Sequence, residues 1–295
     1  DMVADMRSRR LEPGVMVHNS AISACEKGAQ WQEALGTFAD MARQSVEPSV
    51  ISYNAAIGAC ENHNRWQEAL ALVADMGRRR LEPSAITYCA AISACEKGAQ
   101  CQQATSMFSS MRLRHMEPDE ITYNAAVNAC GESAQWQEAL GLCDDMRQQC
   151  VEMGTITYNV AIRACARGAQ WQEALGMFVD MRRRRLELGA ITYNAAIRAC
   201  GKTFQWQEVL SMFGDMPQDR LERGLATYYA ATSTCATNIQ WQEAGGILAA
   251  MGLHSLEPQS GIHHAAVSAC ERVGHSSIAV ISALPPCGGT MWTTI

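Results

Sequence analysis

The 295-residue sequence has no long uninterrupted apolar run, although 48% of its residues are apolar. No segment approaches the roughly 18 consecutive apolar residues of a membrane span, so we predict no membrane association. No basic stretch followed by an apolar one opens the chain, as a secretory signal would. Residue 1 is aspartate rather than methionine, so we expect a fragment of a longer protein, with any targeting segment outside it.

The chain also lacks recognisable catalytic motifs. H-E-x-x-H, the Walker A loop, G-x-G-x-x-G and the zinc-deaminase signature are all missing. His263 and His264 are adjacent, but no cysteine or acid is spaced to complete a metal site. We therefore predict no enzyme activity, no catalytic residues, no metal, no cofactor and no small-molecule substrate.

Charged residues are scarce, at 18%, against roughly 25% in an ordinary soluble domain. The net charge of −6 argues, taken as a whole, against a nucleic-acid binder. The sequence has 13 cysteines, an odd number, and no C-x-x-C motif. These features argue against a disulfide framework and against a zinc ribbon. We predict that the periodic cysteines are buried, reduced thiols, because successive ones should lie beyond the roughly 7 Å limit for bridging.

A 35-residue period organises most of the chain. Three residue types keep it: tyrosine (Tyr53, Tyr88, Tyr123, Tyr158, Tyr193, Tyr228), tryptophan (Trp31, Trp66, Trp136, Trp171, Trp206, Trp241, with Cys101 in the gap) and cysteine (Cys25, Cys60, Cys95, Cys130, Cys165, Cys200, Cys235, Cys270). With the start three residues before tyrosine, seven repeats cover 15–49, 50–84, 85–119, 120–154, 155–189, 190–224 and 225–259. Residues 1–14 end an earlier repeat, 260–275 begin an eighth, and 276–295 form an irregular tail.

Each repeat carries two apolar stripes with helical spacing. The first occupies repeat positions 4, 7, 8 and 11, as in Tyr123, Ala126, Val127 and Cys130. The second contains Trp171, Ala174, Leu175, Phe178 and Met181. We expect glycines such as Gly28 and Gly98 to adopt a left-handed conformation at the end of the first helix, and Leu-Glu-Pro to close the repeat. One helix pair cannot bury its stripes alone, so stacking should build an extended all-α solenoid.

The runs Ile121–Ala126 and Ile191–Ile197, which contain Ile-Thr-Tyr-Asn-Ala-Ala, and the closing Leu-Glu-Pro resemble the pentatricopeptide repeat family. A tetratricopeptide repeat would have a 34-residue period and a W-x-x-L-G first helix, which are not seen. The resemblance implies a right-handed superhelical α-solenoid that binds single-stranded RNA, about one base per repeat. It also implies a mitochondrial or chloroplast protein of RNA processing, stability or translation, with other RNA-processing proteins as further partners.

The resemblance also implies which residues read bases. In the family, the residue after tyrosine and the last residue of the repeat choose the base. The pairs here are Asn19 with Ser49, Asn54 with Ser84, Cys89 with Asp119, Asn124 with Gly154, Asn159 with Gly189, Asn194 with Gly224, and Tyr229 with Gln259. The second residue of the repeat would stack on the base: Met16, Ile51, Ile86, Ile121, Ile156 and Ile191. Asparagine with serine or glycine leans towards pyrimidines.

A helical wheel places repeat positions 2, 5, 9 and 13 opposite the buried stripe of the first helix. Isoleucine on such a face suits a platform for a base, but packing on the next repeat is an equal alternative at this stage. Most of the 30 acids lie in second helices and turns, whereas the first helices of the fifth and sixth repeats are basic. We expect phosphate contacts, strongest around residues 155–224, from Lys27, Lys97, Arg163, Arg167, Arg198 and Lys202.

Two further expectations follow. We interpret the arginine runs Arg78–Arg80 and Arg182–Arg185 as solvated helix ends rather than RNA contacts. A protein-binding scaffold of the tetratricopeptide type is the alternative function. Asparagine at five of seven reading positions favours RNA, because a peptide-binding groove needs no pairing of that asparagine with the turn residue.

Overall fold

The computed structural model describes residues 14–203, 205–216, 221–238 and 240–253. In these ranges the chain forms fourteen α-helices and no strand, which confirms the all-α helical-repeat fold. The helices are α1 (Val15–Lys27), α2 (Trp31–Arg43), α3 (Val50–Glu61), α4 (Trp66–Arg78), α5 (Ala85–Lys97), α6 (Cys101–Leu113), α7 (Glu120–Glu132), α8 (Trp136–Gln148), α9 (Thr155–Arg167), α10 (Trp171–Arg183), α11 (Ala190–Lys202), α12 (Trp206–Asp215), α13 (Leu225–Thr237) and α14 (Trp241–Leu253). The partial repeat and tail predicted for 260–295, and all but the last residue of the one predicted for 1–14, lie outside the described residues.

The chain divides into two compact units, Asp1–Ala164 and Cys165–Ile295. In the first unit, the odd-numbered helices α1, α3, α5 and α7 pack side by side in chain order. Helices α2, α4 and α6 each pack against the odd-numbered helices that precede and follow them, and α8 packs against α7. The second unit has the same pattern, with α11 beside α13 and α12 against both. Each unit is therefore held together by contacts between successive repeats.

The last residue of several repeats caps the first helix of the next. Ser49 accepts a hydrogen bond from the backbone N–H of Ser52 (3.4 Å), and its own N–H donates to Ser52 Oγ (3.0 Å). Ser84 and Thr87 repeat this reciprocal box (3.3 and 3.0 Å). Asp119 accepts from the N–H of Thr122. The residue proposed to read a base thus also fixes where the next helix begins.

The predicted first-helix stripe is the core. Tyr123, Ala126, Val127 and Cys130 are all fully buried. The rings of Tyr53, Tyr123, Tyr193 and Tyr228 pack edge-on against a phenylalanine of the preceding repeat. The ring centroids lie 4.8 Å apart for Phe38–Tyr53 and 4.9 Å apart for Phe108–Tyr123. In the second-helix stripe, Ala174, Phe178 and Met181 are buried, whereas Trp171 and Leu175 are half-buried.

The hydroxyls of Tyr53 and Tyr123 each donate to an aspartate of the second helix in their own repeat. Tyr53 Oη donates to Asp75 Oδ2 (2.5 Å), and Tyr123 Oη donates to Asp145 Oδ2 (2.7 Å). Arg112 of the preceding repeat binds both oxygens of Asp145 (2.7 and 2.8 Å). In these two repeats the tyrosine and the aspartate therefore join the two helices at the edge of the core.

The prediction that Gly28 and Gly98 are left-handed is wrong. Their φ angles are −83° and −85°, and the positive φ belongs to the next residues, Ala29 (58°) and Ala99 (52°). At Gly98 glycine is needed for space, because a Cβ there would collide with the indole of Trp66. The glycine thus allows the second helix of one repeat to approach the end of the next first helix.

The prediction of reduced periodic cysteines is wrong for Cys130, which forms a disulfide with Cys101 (Cα–Cα 4.4 Å). The prediction concerned the distance between successive periodic cysteines. Cys101 is not one of them: it replaces tryptophan at the start of α6, and its side chain reaches α7 of the next repeat. The other periodic cysteines in the described ranges are free thiols. Burial raises the pKa of Cys60, Cys165 and Cys200 to about 12, which keeps these thiols protonated.

Candidate nucleic-acid interface

The side of each first helix opposite its core stripe carries repeat positions 2, 5, 9 and 13, and we call it the reading face. The large apolar side chains at position 2 are all exposed, from 64% at Ile156 to 83% at Met16. These residues are Met16, Ile51, Ile86, Ile121, Ile156 and Ile191. They make up six of the nine large apolar side chains exposed in the described ranges. Such exposure weighs against packing on the next repeat, the alternative left open by the sequence.

The residues of the reading pairs come together in the first two repeats. Asn54 Nδ2 lies 3.5 Å from Ser84 Oγ, and both side chains bind Thr87 of the next repeat. Asn19 and Ser49 likewise both bind Ser52, at 2.6 and 3.1 Å. The shared hydroxyl at repeat position 3 was not predicted from the sequence, because the threonine before tyrosine appeared there only as part of the run that resembles the family.

The third repeat uses different chemistry at the same place. Cys89 Sγ lies 2.8 Å from Thr122 Oγ1, and that hydroxyl donates to Asp119 Oδ1 (2.6 Å). Burial raises the pKa of the Cys89 thiol, and the charge of Asp119 adds to this. Thr122 therefore links Cys89 to Asp119, and the pair presents a neutral thiol and a carboxylate rather than an amide and a hydroxyl.

In the fourth, fifth and sixth repeats the reading pair ends in glycine, so the asparagine is the only polar side chain of the pair. Asn124, Asn159 and Asn194 are half-buried, and Gly154, Gly189 and Gly224 add no side-chain group. Asn194 Oδ1 accepts from Thr227 Oγ1 (2.6 Å), whereas Asn124 Oδ1 is buried with no hydrogen-bond partner in the described part of the chain. Tyr229 is 51% exposed, and its partner Gln259 lies outside the described residues.

Five of the six cations predicted to contact phosphates fall into two groups, and Arg167 belongs to neither. Lys97 forms an ion pair with Glu61 (3.1 Å), while Arg163 binds the Asn128 side chain and lies 3.7 Å from Glu132. These partners offset part of the charge that was expected to face a phosphate. The second group is exposed and makes no ion pair in the described part of the chain: Lys27, Arg198 and Lys202. Arg167 is half-buried.

Acids at repeat position 12 lower the potential of the reading face in the first three repeats. Burial raises the pKa of Glu26, and the nearby charge of Glu61 adds to this effect. Burial likewise raises the pKa of Glu96, against an opposing hydrogen bond from Asn128. A phosphate backbone would meet fewer uncompensated cations here than beside α11.

In the second unit, α11 and α13 border an open groove of about 560 Å³. Arg198 and Lys202 lie on one side of it, and Tyr229, Ser233 and Thr237 on the other. An exposed aromatic ring beside two unpaired cations can hold a base and a phosphate.

The arginine runs at the ends of second helices have acidic partners. Arg78 and Arg79 both bind Asp75, and Arg184 binds Asp180. These pairs agree with their interpretation as helix-end charges. In the described ranges, no cluster of three or more histidine, cysteine or acidic residues could hold a metal ion, and no helix there is both long and apolar enough to cross a membrane.

Three family models match the chain. The "PPR repeat family" model matches residues 48–97 and 153–202, "Pentatricopeptide repeat domain" matches 1–63, and "PPR repeat" matches 121–151 and 191–221. No curated protein sequence matches significantly. The matched segments together extend over most of the seven repeats inferred from the period.

Solved pentatricopeptide structures share the fold. The chain is similar to the pentatricopeptide repeat protein PPR10 from maize, with a TM-score of 0.65 and 17% identity over 95% of this chain and 45% of that one. PPR10 in complex with an 18-nucleotide psaJ RNA element gives a TM-score of 0.58 and 20% identity over 95% of this chain and 44% of that one. This chain thus spans less than half the length of PPR10.

A second solved protein is the pentatricopeptide domain of Arabidopsis thaliana protein-only RNase P 1, in complex with tRNA. It gives a TM-score of 0.56 and 14% identity, over 66% of this chain and 98% of that one. At such identities the likeness concerns the fold alone, and the family models carry the assignment. The period, the helix pairs and the matched repeats together show that this chain belongs to the pentatricopeptide repeat family.

Proposed function

We propose that this chain binds single-stranded RNA through the reading face, about one base per repeat, with a preference for pyrimidines. The observation that carries the proposal is the exposed apolar side chain at position 2, which recurs in six repeats near the position-5 side chain, an asparagine in five of them. An apolar platform offers a surface on which any base can lie, and the neighbouring amide or hydroxyl offers hydrogen bonds to the base edge. The role is binding rather than catalysis.

The biological setting is proposed from the family resemblance. It comprises a mitochondrial or chloroplast location, a part in RNA processing, stability or translation, and other RNA-processing proteins as further partners. The pyrimidine preference rests on the asparagine that the first, second, fourth, fifth and sixth repeats carry at position 5.

The direct test compares purified protein with pyrimidine-rich and purine-rich single-stranded RNA of about twelve nucleotides, more than seven repeats need at one base each. Fluorescence anisotropy at a stated salt concentration gives the dissociation constants. We expect tighter binding of the pyrimidine strand and weak binding of the matching duplex, because paired bases cannot enter between the position-2 side chains. Equal, negligible binding of both single strands would favour the protein-binding scaffold.

The double variant Arg198→Glu, Lys202→Glu is expected to weaken RNA binding about tenfold or more at low salt. Both side chains are exposed and without an ion pair in the described ranges, so reversing their charges turns two attractions for phosphate into repulsions. Loss of two phosphate contacts should also reduce the slope of log affinity against log salt by about 1.4.

The matched control is Arg183→Glu, Arg185→Glu, which makes the same change of net charge in the same unit. These residues are exposed at and just beyond the end of the second helix α10. An equal loss of affinity in both double variants would show that net charge alone, rather than the groove beside α11, governs binding.

A further inference from the structure

A buried hydroxyl at the third position of a first helix joins two repeats. Ser52 Oγ donates to Asn19 Oδ1, Thr87 Oγ1 to Asn54 Oδ1, and Thr227 Oγ1 to Asn194 Oδ1, each at 2.6 Å. The three donors have no exposed surface. In each case the acceptor is the asparagine of the preceding repeat that is proposed to read a base.

The direction of these hydrogen bonds fixes which end of the amide faces the hydroxyl. Thr87 Oγ1 already accepts the backbone N–H of Ser84 (3.0 Å), and a hydroxyl has one proton to give. In the structure that proton goes to Asn54 Oδ1, so the amide oxygen faces Thr87. Asn54 Nδ2 then points away from Thr87, and its contact with Ser84 Oγ is long, at 3.5 Å.

The same constraint acts between the first and second repeats. Ser52 Oγ accepts the backbone N–H of Ser49 (3.0 Å) and donates to Asn19 Oδ1. At both boundaries the asparagine amide is therefore held with its oxygen towards the hydroxyl of the next repeat, and its NH2 group is on the other side.

We propose that the hydroxyls of Ser52, Thr87 and Thr227 are positioning residues for base selection. Each orients the asparagine of the preceding repeat so that its amide donates to an acceptor atom on a base edge. Base choice by one repeat thus depends on a residue of the next repeat. This inference rests on the proposed function and deepens it by naming what controls the polarity of the reading side chain.

Two other boundaries provide internal contrasts. Thr122 gives its proton to Asp119 (2.6 Å), and the residue it adjoins in the preceding repeat is Cys89, which has no amide to orient. Among the residues that the structure describes, neither Thr157 Oγ1 nor Asn124 Oδ1 has a hydrogen-bond partner. Thr157 is therefore a matched site where the same residue type does not orient the asparagine.

The test is selection from a randomised single-stranded RNA pool by wild-type protein and by Thr87→Val, Thr87→Ser and Thr157→Val. We expect Thr87→Val to flatten the preference at one base position by about fivefold, the worth of one neutral hydrogen bond, and to leave the other positions unchanged. Thr87→Ser should retain the wild-type profile because it keeps the hydroxyl. Thr157→Val should also retain it.

Thr87 additionally caps α5, so Ser52→Ala repeats the test at the first boundary should Thr87→Val fail to fold. An unchanged profile in folded Thr87→Val or Ser52→Ala, or a uniform loss of affinity for every sequence, would overturn the positioning role while leaving RNA binding intact. Failure of the wild-type protein to enrich any sequence would instead overturn the proposed function, and the positioning role with it.

Discussion

Replacing Ile86 and Ile121 together by glutamate is expected to weaken RNA binding at least about 30-fold, equivalent to about 2 kcal/mol. The two side chains are 68% and 73% exposed on α5 and α7, which pack side by side. The change removes two apolar platforms and places two negative charges where the account puts an RNA strand. Little packing is lost, so the melting temperature should stay within a few degrees. Anisotropy titration and circular dichroism measure the two effects.

The matched control is Leu113→Glu, Val179→Glu, which also replaces two exposed apolar residues by acids. Leu113 is 81% exposed and Val179 43% exposed, but both belong to second helices, α6 and α10. We expect affinity within about threefold of wild type, since distant surface charges are screened beyond about 10 Å at 0.1 M salt. An equal loss in the two double variants would show that the reading face is not the RNA site.

Truncating Tyr53 to alanine is expected to lower the free energy of unfolding of its repeats by about 3–5 kcal/mol. The ring is fully buried, packs edge-on against Phe38 and donates its hydroxyl proton to Asp75. Tyr53→Phe isolates the hydroxyl and should cost about 1–3 kcal/mol. Denaturant titration measures both, with the first transition taken because repeat arrays need not unfold in one step.

Tyr88→Phe is the matched control for Tyr53→Phe. Tyr88 is 3% exposed, but its repeat has Ser110 where five other repeats have the aspartate, and its hydroxyl makes no hydrogen bond in the described ranges. We expect a change near zero. Similar costs for Tyr53→Phe and Tyr88→Phe would show that the contact with Asp75 does not stabilise the fold.

The Tyr53 contact also predicts a pH dependence. The hydrogen bond from Tyr53 is the main cause that holds the pKa of Asp75 below its usual value. A carboxyl with a lowered folded-state pKa stabilises the fold above its unfolded pKa, roughly 4, and this contribution disappears as the pH falls through the folded value. The stability difference between wild type and Tyr53→Phe should therefore be full at pH 7 and shrink at low pH.

The sequence was sufficient for the helical-repeat fold because the spacing of Tyr123, Ala126, Val127 and Cys130 directly reflects burial on one side of a helix. It was insufficient where a residue departs from the period. Cys101 breaks the tryptophan series, and its partner Cys130 follows only once α6 and α7 are placed in space. The left-handed residue at Ala99 was assigned to Gly98, because the need for space beside Trp66 is a tertiary effect.

The exposure of position 2 follows from the helical wheel, but the neighbours of each polar residue do not. Lys97 pairs with Glu61, 36 residues away. Asn54 contacts Ser84 and Thr87, which lie 30 and 33 residues further along the chain. Such contacts depend on how one repeat packs on the next. The family resemblance supplied the reading pairs, whereas the hydroxyl that orients their asparagine emerged only from the structure.

The most direct test of the account is photo-crosslinking to single-stranded RNA substituted with 4-thiouridine, followed by mass spectrometry to locate the attached residues. The account predicts crosslinks at reading-face positions of the first helices, such as those around Ile86, Ile121 and Tyr229. Crosslinks confined to the second helices, or none under conditions in which an unrelated RNA-binding protein reacts, would contradict it.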